Sequence, residues 1–425
     1  MPTPSRLPLP QPLGPTKTFG FGDCLGFATL GHLAAARKFS FAPVFAQQAI
    51  RQIEITGRAL PDVLASAQHS LAATAYVGRW GADASGLRTE ADALRAVAAG
   101  FTHLTLDPTS LIEERAGELG PRELETAAAA MVNEGILPPD WTAQFLEQDF
   151  DLHSDGEGAI LRFDQTTLLR AGVKFAHALH HGQRIARAIV SHLHPTRCEL
   201  EFSLADGRAP TTPLEHLFCA IELRRRSFRL GSLAPRFRAP LERGIDFEGD
   251  VAAFESELRL HVAIARRFGP YTISFHRGSD KFALYPVIGR ICGELLHIKT
   301  SATTYLEALR VVCRTAPELF REIASYARVR FANSTGIDGI STTPQDADAL
   351  FRSSAGLRAE GGFFDTRTGR QLLAATQDAV LGAGRTSRGR RFKDAIAEVL
   401  ASRTDLFREQ LDGHFTRHLM LLNAG

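Results

Sequence analysis

Two neighbouring stretches of this chain concentrate the residue types that do polar chemistry. In SFHRGSDKF, Ser274–Phe282, a β-like run (YTISF) empties into His276, Arg277, Gly278, Ser279, Asp280 and Lys281. These supply a proton carrier or metal ligand, a cation, a flexible residue, a hydroxyl, an acid and a second cation. A short way on, LLHIKTSATTY repeats the form, and His297, Lys299 and Thr300 close a second buried-looking strand. Because Asp280 and Lys281 follow it at a strand end, His276 reads as a ligand or general acid–base rather than as a satisfied core histidine. Lys281 and Lys299 can grip a carboxylate or a phosphate as point charges; the plain alternative for each is a lysine reaching water from a loop. Asp107 ends a further run, HLTLD, and Asp83 follows RWGA. The expectation is that His276, Lys281, Lys299, Asp107 and Asp83 converge on one cavity.

Such convergence needs elements that bring strand ends together. Nine short apolar runs read as strands: TFGFGD, APVFAQQ, YVGRWGADA, FTHLTLDP, CELEFSLA, FRLGSLAP, YTISFHRG, LLHIKTSA and IDGISTT. Between them lie amphipathic segments such as TEADALRAVAAG, LLRAGVKFAHALHHGQRIARAIVSHL and FEGDVAAFESELRLHVAIARRFG, with apolar residues at three- and four-residue spacing. Strands alternating with helices imply parallel βαβ units, and about eight units favour a closed (β/α)8 TIM-type barrel. The ninth run is then a cap or an extra. Thr211, Thr212 and Pro213 read as an N-cap with proline at the helix start. The expected organisation is a proline-rich lead over 1–16, the barrel over 17–350 and a C-terminal helical extension over 351–425. In such a barrel the chemistry sits where strands end, which places both opening stretches at one mouth.

Bulk properties narrow the function classes. The formal charge of the 425-residue chain is only +2, so nothing indicates overall steering toward nucleic acid. No apolar run approaches the roughly 20 residues that a bilayer crossing needs, and the proline-rich start carries no secretory pattern. Five scattered cysteines without a C-x-x-C pair argue against a disulfide framework or structural zinc, and for a reducing cytoplasm. The glycines of GFGDCLG miss the dinucleotide spacing by one residue, so a tight turn is expected there. His177, His180 and His181 read as a solvated helix face, and GRTSRGRRFK, 384–393, as a basic loop.

Several of these segments are long and unusual: FGFGDCLGFATLGHL, APVFAQQAIRQ, GADASGLRT, APTTPLEHLFCAIELRRR, SLAPRF, SFHRGSDKFALYPVIGR and HIKTSATTYLEALRVV. Through them the chain resembles the tagaturonate/fructuronate epimerases, metal-dependent (β/α)8 enzymes of hexuronate breakdown, over nearly its whole length. The resemblance implies an isomerase of keto-hexuronates or related sugar acids. It inverts a hydroxyl-bearing carbon β to a ketone, which simple enolisation cannot reach and a retro-aldol cleavage can. It also implies a divalent metal ion at the ketone, with His276 as a ligand and Asp206, Glu201 and His297 as further candidates. Asp107, Asp280 and Lys281 are the expected catalytic groups. Gln47, Asp83, Arg277, Ser279, Lys299 and Thr300 are expected to bind the sugar acid, with neither nucleic acid nor membrane as partner.

The departures from the family pattern matter as much. An Asp-Glu pair precedes PTTP in the family, where this chain has Ala205 and Asp206. Gly86 and Gly339 stand where the pattern has histidines, and Arg277 stands where it has serine. The expected consequence is a wider pocket, partly filled by Arg277, that binds an anionic sugar with weak or absent turnover. The alternative reading is a non-catalytic sugar-acid-binding barrel that has lost its metal; a phosphosugar enzyme is a third.

Overall fold

Eight of the nine expected strands pair in parallel into one closed barrel, β1 to β8 in chain order. They are β1 Thr18–Gly22, β2 Ala42–Ala49, β3 Gly81–Leu87, β4 His103–Leu106, β5 Glu199–Ser203, β6 Leu230–Ala234, β7 Thr272–Phe275 and β8 Leu296–Lys299. This computed structural model describes residues 7–153, 158–300, 302–333, 339–353 and 360–425. Closure is made by β1 pairing with both β2 and β8, with Thr18 opposite His297 and Gly20 opposite Lys299. The ninth run, IDGISTT, is not a strand where it is described: Gly339 is in a turn at φ +74°, and the following residues lead into the helix Pro344–Arg352. Its first two residues lie outside the described ones. The last barrel strand therefore ends at Lys299, and the described residues from Ala302 on form helices and loops.

Helices cover the barrel as the 3.6-residue period requires. The long amphipathic segment is the helix Gln165–His192, whose buried face includes Leu168, Phe175, Leu179 and Ile185. Thr212 caps the helix Pro213–Arg225 by accepting from the Glu215 N–H, and Glu215 returns the bond to the Thr212 N–H. Gly20 shows why β1 is glycine-rich. A Cβ there would overlap the Gln47 side chain, which crosses the barrel top to donate to the Thr300 carbonyl at 2.7 Å.

Both chain ends pack on the barrel. The proline-rich lead is extended from Leu7, and the Leu13 and Gly14 N–H groups donate to the Glu199 carboxylate at the barrel floor. At the other end, the helix Thr404–Asn423 places Phe415 against Phe19, Phe21 and His32. Among the described residues no helix is long and apolar enough to cross a membrane.

Candidate active site at the barrel mouth

Inside the barrel the period-two alternation of the strands turns polar residues inward in layers. The lower layer holds Thr18, His103, Glu199 and His297; the next, nearer the strand ends, holds Thr105, Glu201 and Lys299, and the Asp83 carboxylate reaches this layer from opposite His103. Lys299 Nζ lies 2.9 Å from Asp83 Oδ2 and 3.0 Å from Glu201 Oε1, and donates to Thr105 Oγ1 at 2.5 Å. Thr105 passes the contact on by donating to Asp83 Oδ1 at 2.9 Å. Asp83 and Glu201 have side chains of 0 % exposure, so each needs a counter-charge to stay ionised.

The titration directions follow from this packing. Burial raises the Glu201 carboxyl, but the Lys299 charge and the bonds from His103 and His276 outweigh it and hold it well below the usual range. Burial likewise works against the Lys299 ammonium, yet Asp83 and Glu201 keep its pKa above the ordinary value. His103 is desolvated too, and its contacts to Glu199 and Glu201 push it up to about 9, so it is an imidazolium at neutral pH. His297 is driven down by burial and by the neighbouring His103 and Lys299 charges. Its Nδ1 pairs with Thr18 Oγ1 at 2.6 Å, while Nε2 has no hydrogen-bond partner among the described residues.

Glu201 links this interior to the mouth. His276 Nε2 sits 2.6 Å from Glu201 Oε1, while His103 holds Oε2 from below at 3.2 Å. An ionised carboxylate only accepts, so the hydrogen lies on His276 Nε2, and in the neutral ring Nδ1 keeps the lone pair. His276 lines a mouth cavity of about 410 Å³ together with Arg208, Arg236, Arg238, Arg277, Glu242 and Gly339. Arg277 pairs with Asp206 at 3.1 Å, and its guanidinium lies against Gly339.

The rest of the opening stretch turns away from this cavity. Lys281 spends its three ammonium hydrogens on the carbonyls of Glu242, Ile245 and Ser279, at 2.7, 2.6 and 3.0 Å. Burial lowers its pKa to about 8, with Asp280 opposing the shift. The idea that Lys281 and Lys299 clamp one carboxylate is thereby corrected, because Lys281 has no donor left. Asp280 is bound at 2.9 Å by both Arg370 and His414, and its backbone N–H donates to His418 Nε2 at 3.1 Å. Those cations hold its carboxyl far below the usual range despite burial. Asp280 thus ties the loop to the C-terminal helix. Ser279 is buried, with its carbonyl on Lys281.

Asp107 is likewise engaged, by Arg88 at 2.8 Å and by the Thr109 hydroxyl and N–H at 2.6 and 3.1 Å. Thr300 donates its hydroxyl to the Gly20 carbonyl at 2.6 Å, closing the barrel seam. The four expected metal ligands are not one donor set. His276 and Glu201 bond each other, His297 lies a layer below, and Asp206 pairs with Arg277. Among the described residues the His, Cys, Asp and Glu side chains that gather in threes are His103–Glu201–His297 and Asp280–His414–His418; His276 belongs to neither.

Sequence reasoning missed His103 and Thr105, although HLTLD places them on one strand face with Asp107. It also missed His414, His418 and Arg370, which reach Asp280 from helices that are remote in the chain and carry no local signal. The histidines expected on a solvated face, His177, His180 and His181, are half-buried, and His181 Nε2 bonds the Arg88 carbonyl at 2.7 Å.

The fold has counterparts among known proteins. A family model described as tagaturonate epimerase (UxaE) matches residues 6–422. The tagaturonate/fructuronate epimerase of Thermotoga maritima is 32% identical over 417 residues, covering 98% of this chain and 82% of that one. Crystal structures of the fructuronate-tagaturonate epimerase UxaE from Cohnella laeviribosi superpose closely. The one-glycerol complex has a TM-score of 0.89 at 31% identity, covering 97% of this chain and 83% of that one. The native form has a TM-score of 0.86 at 32% identity, with the same coverages. The chain belongs to the tagaturonate epimerase family.

Proposed function

We propose that this protein is an isomerase of keto-hexuronates or closely related sugar acids, with His276 and Glu201 as its proton-moving pair. The observation that carries the reading is the 2.6 Å contact from His276 Nε2 to a fully buried carboxylate, at the rim of a cavity lined by arginines. Such a carboxylate fixes the tautomer and steadies the imidazolium that forms when the ring takes a proton. The cavity volume lies in the range of small-ligand sites, and its cations suit a carboxylate-bearing substrate.

The chemistry balances without net oxidation. His276 Nδ1 takes the proton of the hydroxyl β to the ketone, and the O–H electron pair becomes the new carbonyl. The C–C bond pair passes to the ketone side as an enolate. After the aldehyde turns over, the bond reforms on its other face and His276 returns the proton.

The divalent ion that the family resemblance implies would hold the ketone oxygen and steady that enolate. The donors around His276 do not fit it. Gly86 and Gly339 offer no side chain, Ala205 no carboxylate, and Asp206 is turned to Arg277. The two threefold groups fit no better. Glu201 already carries Lys299, His276 and His103, and His418 Nε2 spends its lone pair on the Asp280 N–H. This deficit favours one second reading, a barrel that binds sugar acids without turning them over.

Epimer formation from tagaturonate, followed by NMR beside a binding isotherm, separates the readings. Slow epimerisation that His276→Gln and Glu201→Gln each abolish is the expected result. Binding without turnover would leave the second reading, and absence of any sugar-acid binding would remove both.

A further inference from the structure

We infer that Arg277 is the fixed cation of the mouth, so that a sugar acid binds here without a divalent ion. This rests on the sugar-acid reading of the site. Arg277 directly follows His276 at the end of β7 and holds φ at +58°, a region that side-chain-bearing residues other than Asn and Asp seldom occupy. Asp280, three residues on, is at +59°, which an aspartate tolerates. The Asp280 contacts to Arg370, His414 and His418 anchor the loop in which Arg277 keeps its rarer geometry. The effect is to aim the Arg277 side chain at one place in the mouth.

That place is the hollow at Gly339. A Cβ on residue 339 would come within 2.9 Å of Arg277 Nη1, so a side chain there would push the guanidinium aside. Asp206, the carboxylate partner at 3.1 Å, is half exposed. Asp206 holds its end of the pair at the water's edge, so a ligand carboxylate can replace it on the guanidinium. The fork geometry also suits a carboxylate better than an ammonium would.

The field at the mouth agrees. Arg208, Arg236 and Arg238 line the same cavity, and the carboxylate among the lining residues, Glu242, is already bonded by Ser341 and Gln371. Several guanidinium groups around one space disfavour a free divalent cation there and favour an anion.

The test is titration calorimetry of the full chain with tagaturonate and with fructuronate, after chelator treatment, with and without added manganese. Affinity should be the same within about twofold in both conditions. Arg277→Ala should weaken it about 10- to 100-fold, the loss expected for a charge-assisted contact. Gly339→Ser, which displaces the guanidinium from its hollow, should act in the same direction. Thermal melting checks that both variants fold. Binding that appears only with manganese, with Arg277→Ala equal to the parent, overturns the inference and leaves the sugar-acid reading in place. Failure to bind either sugar acid in any condition overturns both.

Discussion

Replacing Lys299 by methionine removes the ammonium that stands between Asp83 and Glu201 while keeping most of the side-chain volume. The parent geometry puts one cation within 3.0 Å of two carboxylates that have no solvent contact. At an effective dielectric of about 20, each such contact has a gross Coulomb energy of about 5 kcal/mol, and desolvation of the three groups offsets most of it. What the variant loses is larger than the net worth of the cluster, because Asp83 loses its buried counter-charge and Glu201 is left with His103 as its cation. A loss of roughly 3–5 kcal/mol is expected, as for other broken buried pairs.

Urea unfolding at neutral pH measures it. The pH dependence then identifies the cause. In the parent, the folded pKa of Glu201 is depressed, so its contribution is present above the unfolded carboxyl range and lost as pH falls through the folded value. In Lys299→Met the folded pKa of Glu201 should rise above the unfolded one, so the stability deficit should shrink on acidification. Adding Glu201→Gln to Lys299→Met should recover part of the loss at neutral pH. A Lys299→Met protein within about 1 kcal/mol of the parent, or a deficit that grows as pH falls, would refute the account of the buried cluster.

Two further perturbations probe the groups below and beside the mouth. Burial opposes the charge on His103, but Glu199 and Glu201 raise its pKa to about 9, against about 6.5 unfolded. Its contribution is therefore full below about pH 6.5 and lost as pH rises through about 9; it is worth on the order of 3 kcal/mol, so His103→Gln should flatten the fall in urea stability over that window. Asp280→Asn leaves Arg370 and His414 without their buried carboxylate and should cost roughly 3 kcal/mol. Tagaturonate binding to the folded variant should weaken, because the loop that aims Arg277 loses its anchor, and a fully stable Asp280→Asn protein that binds as the parent does but has lost turnover would return Asp280 to the catalytic set.

The barrel and most of its strands were legible in the chain alone. Period-two runs separated by 3.6-period segments leave few alternatives, and eight strands close a sheet without edges. The strand ends also brought His276, Lys281, Lys299, Asp107 and Asp83 into one expected cavity; Asp83 and Lys299 do meet inside the barrel and His276 stands at its mouth, whereas Lys281 and Asp107 are held by other partners. IDGISTT misled because its composition resembles a strand, while the barrel was already closed by eight others. How those side chains are spent came from the packing of distant elements. Lys281 and Lys299 follow similar strand ends, yet one is held by three carbonyls and the other by two carboxylates. Asp280 looks catalytic beside His276, yet it is taken by His414, Arg370 and the backbone contact to His418, groups some ninety to 140 positions away in the chain. A hydrogen bond is satisfied by whichever partner comes within about 3 Å with the right donor direction. Sequence spacing carries that information only within one element, and between elements the packing of the barrel and its C-terminal helices supplies it.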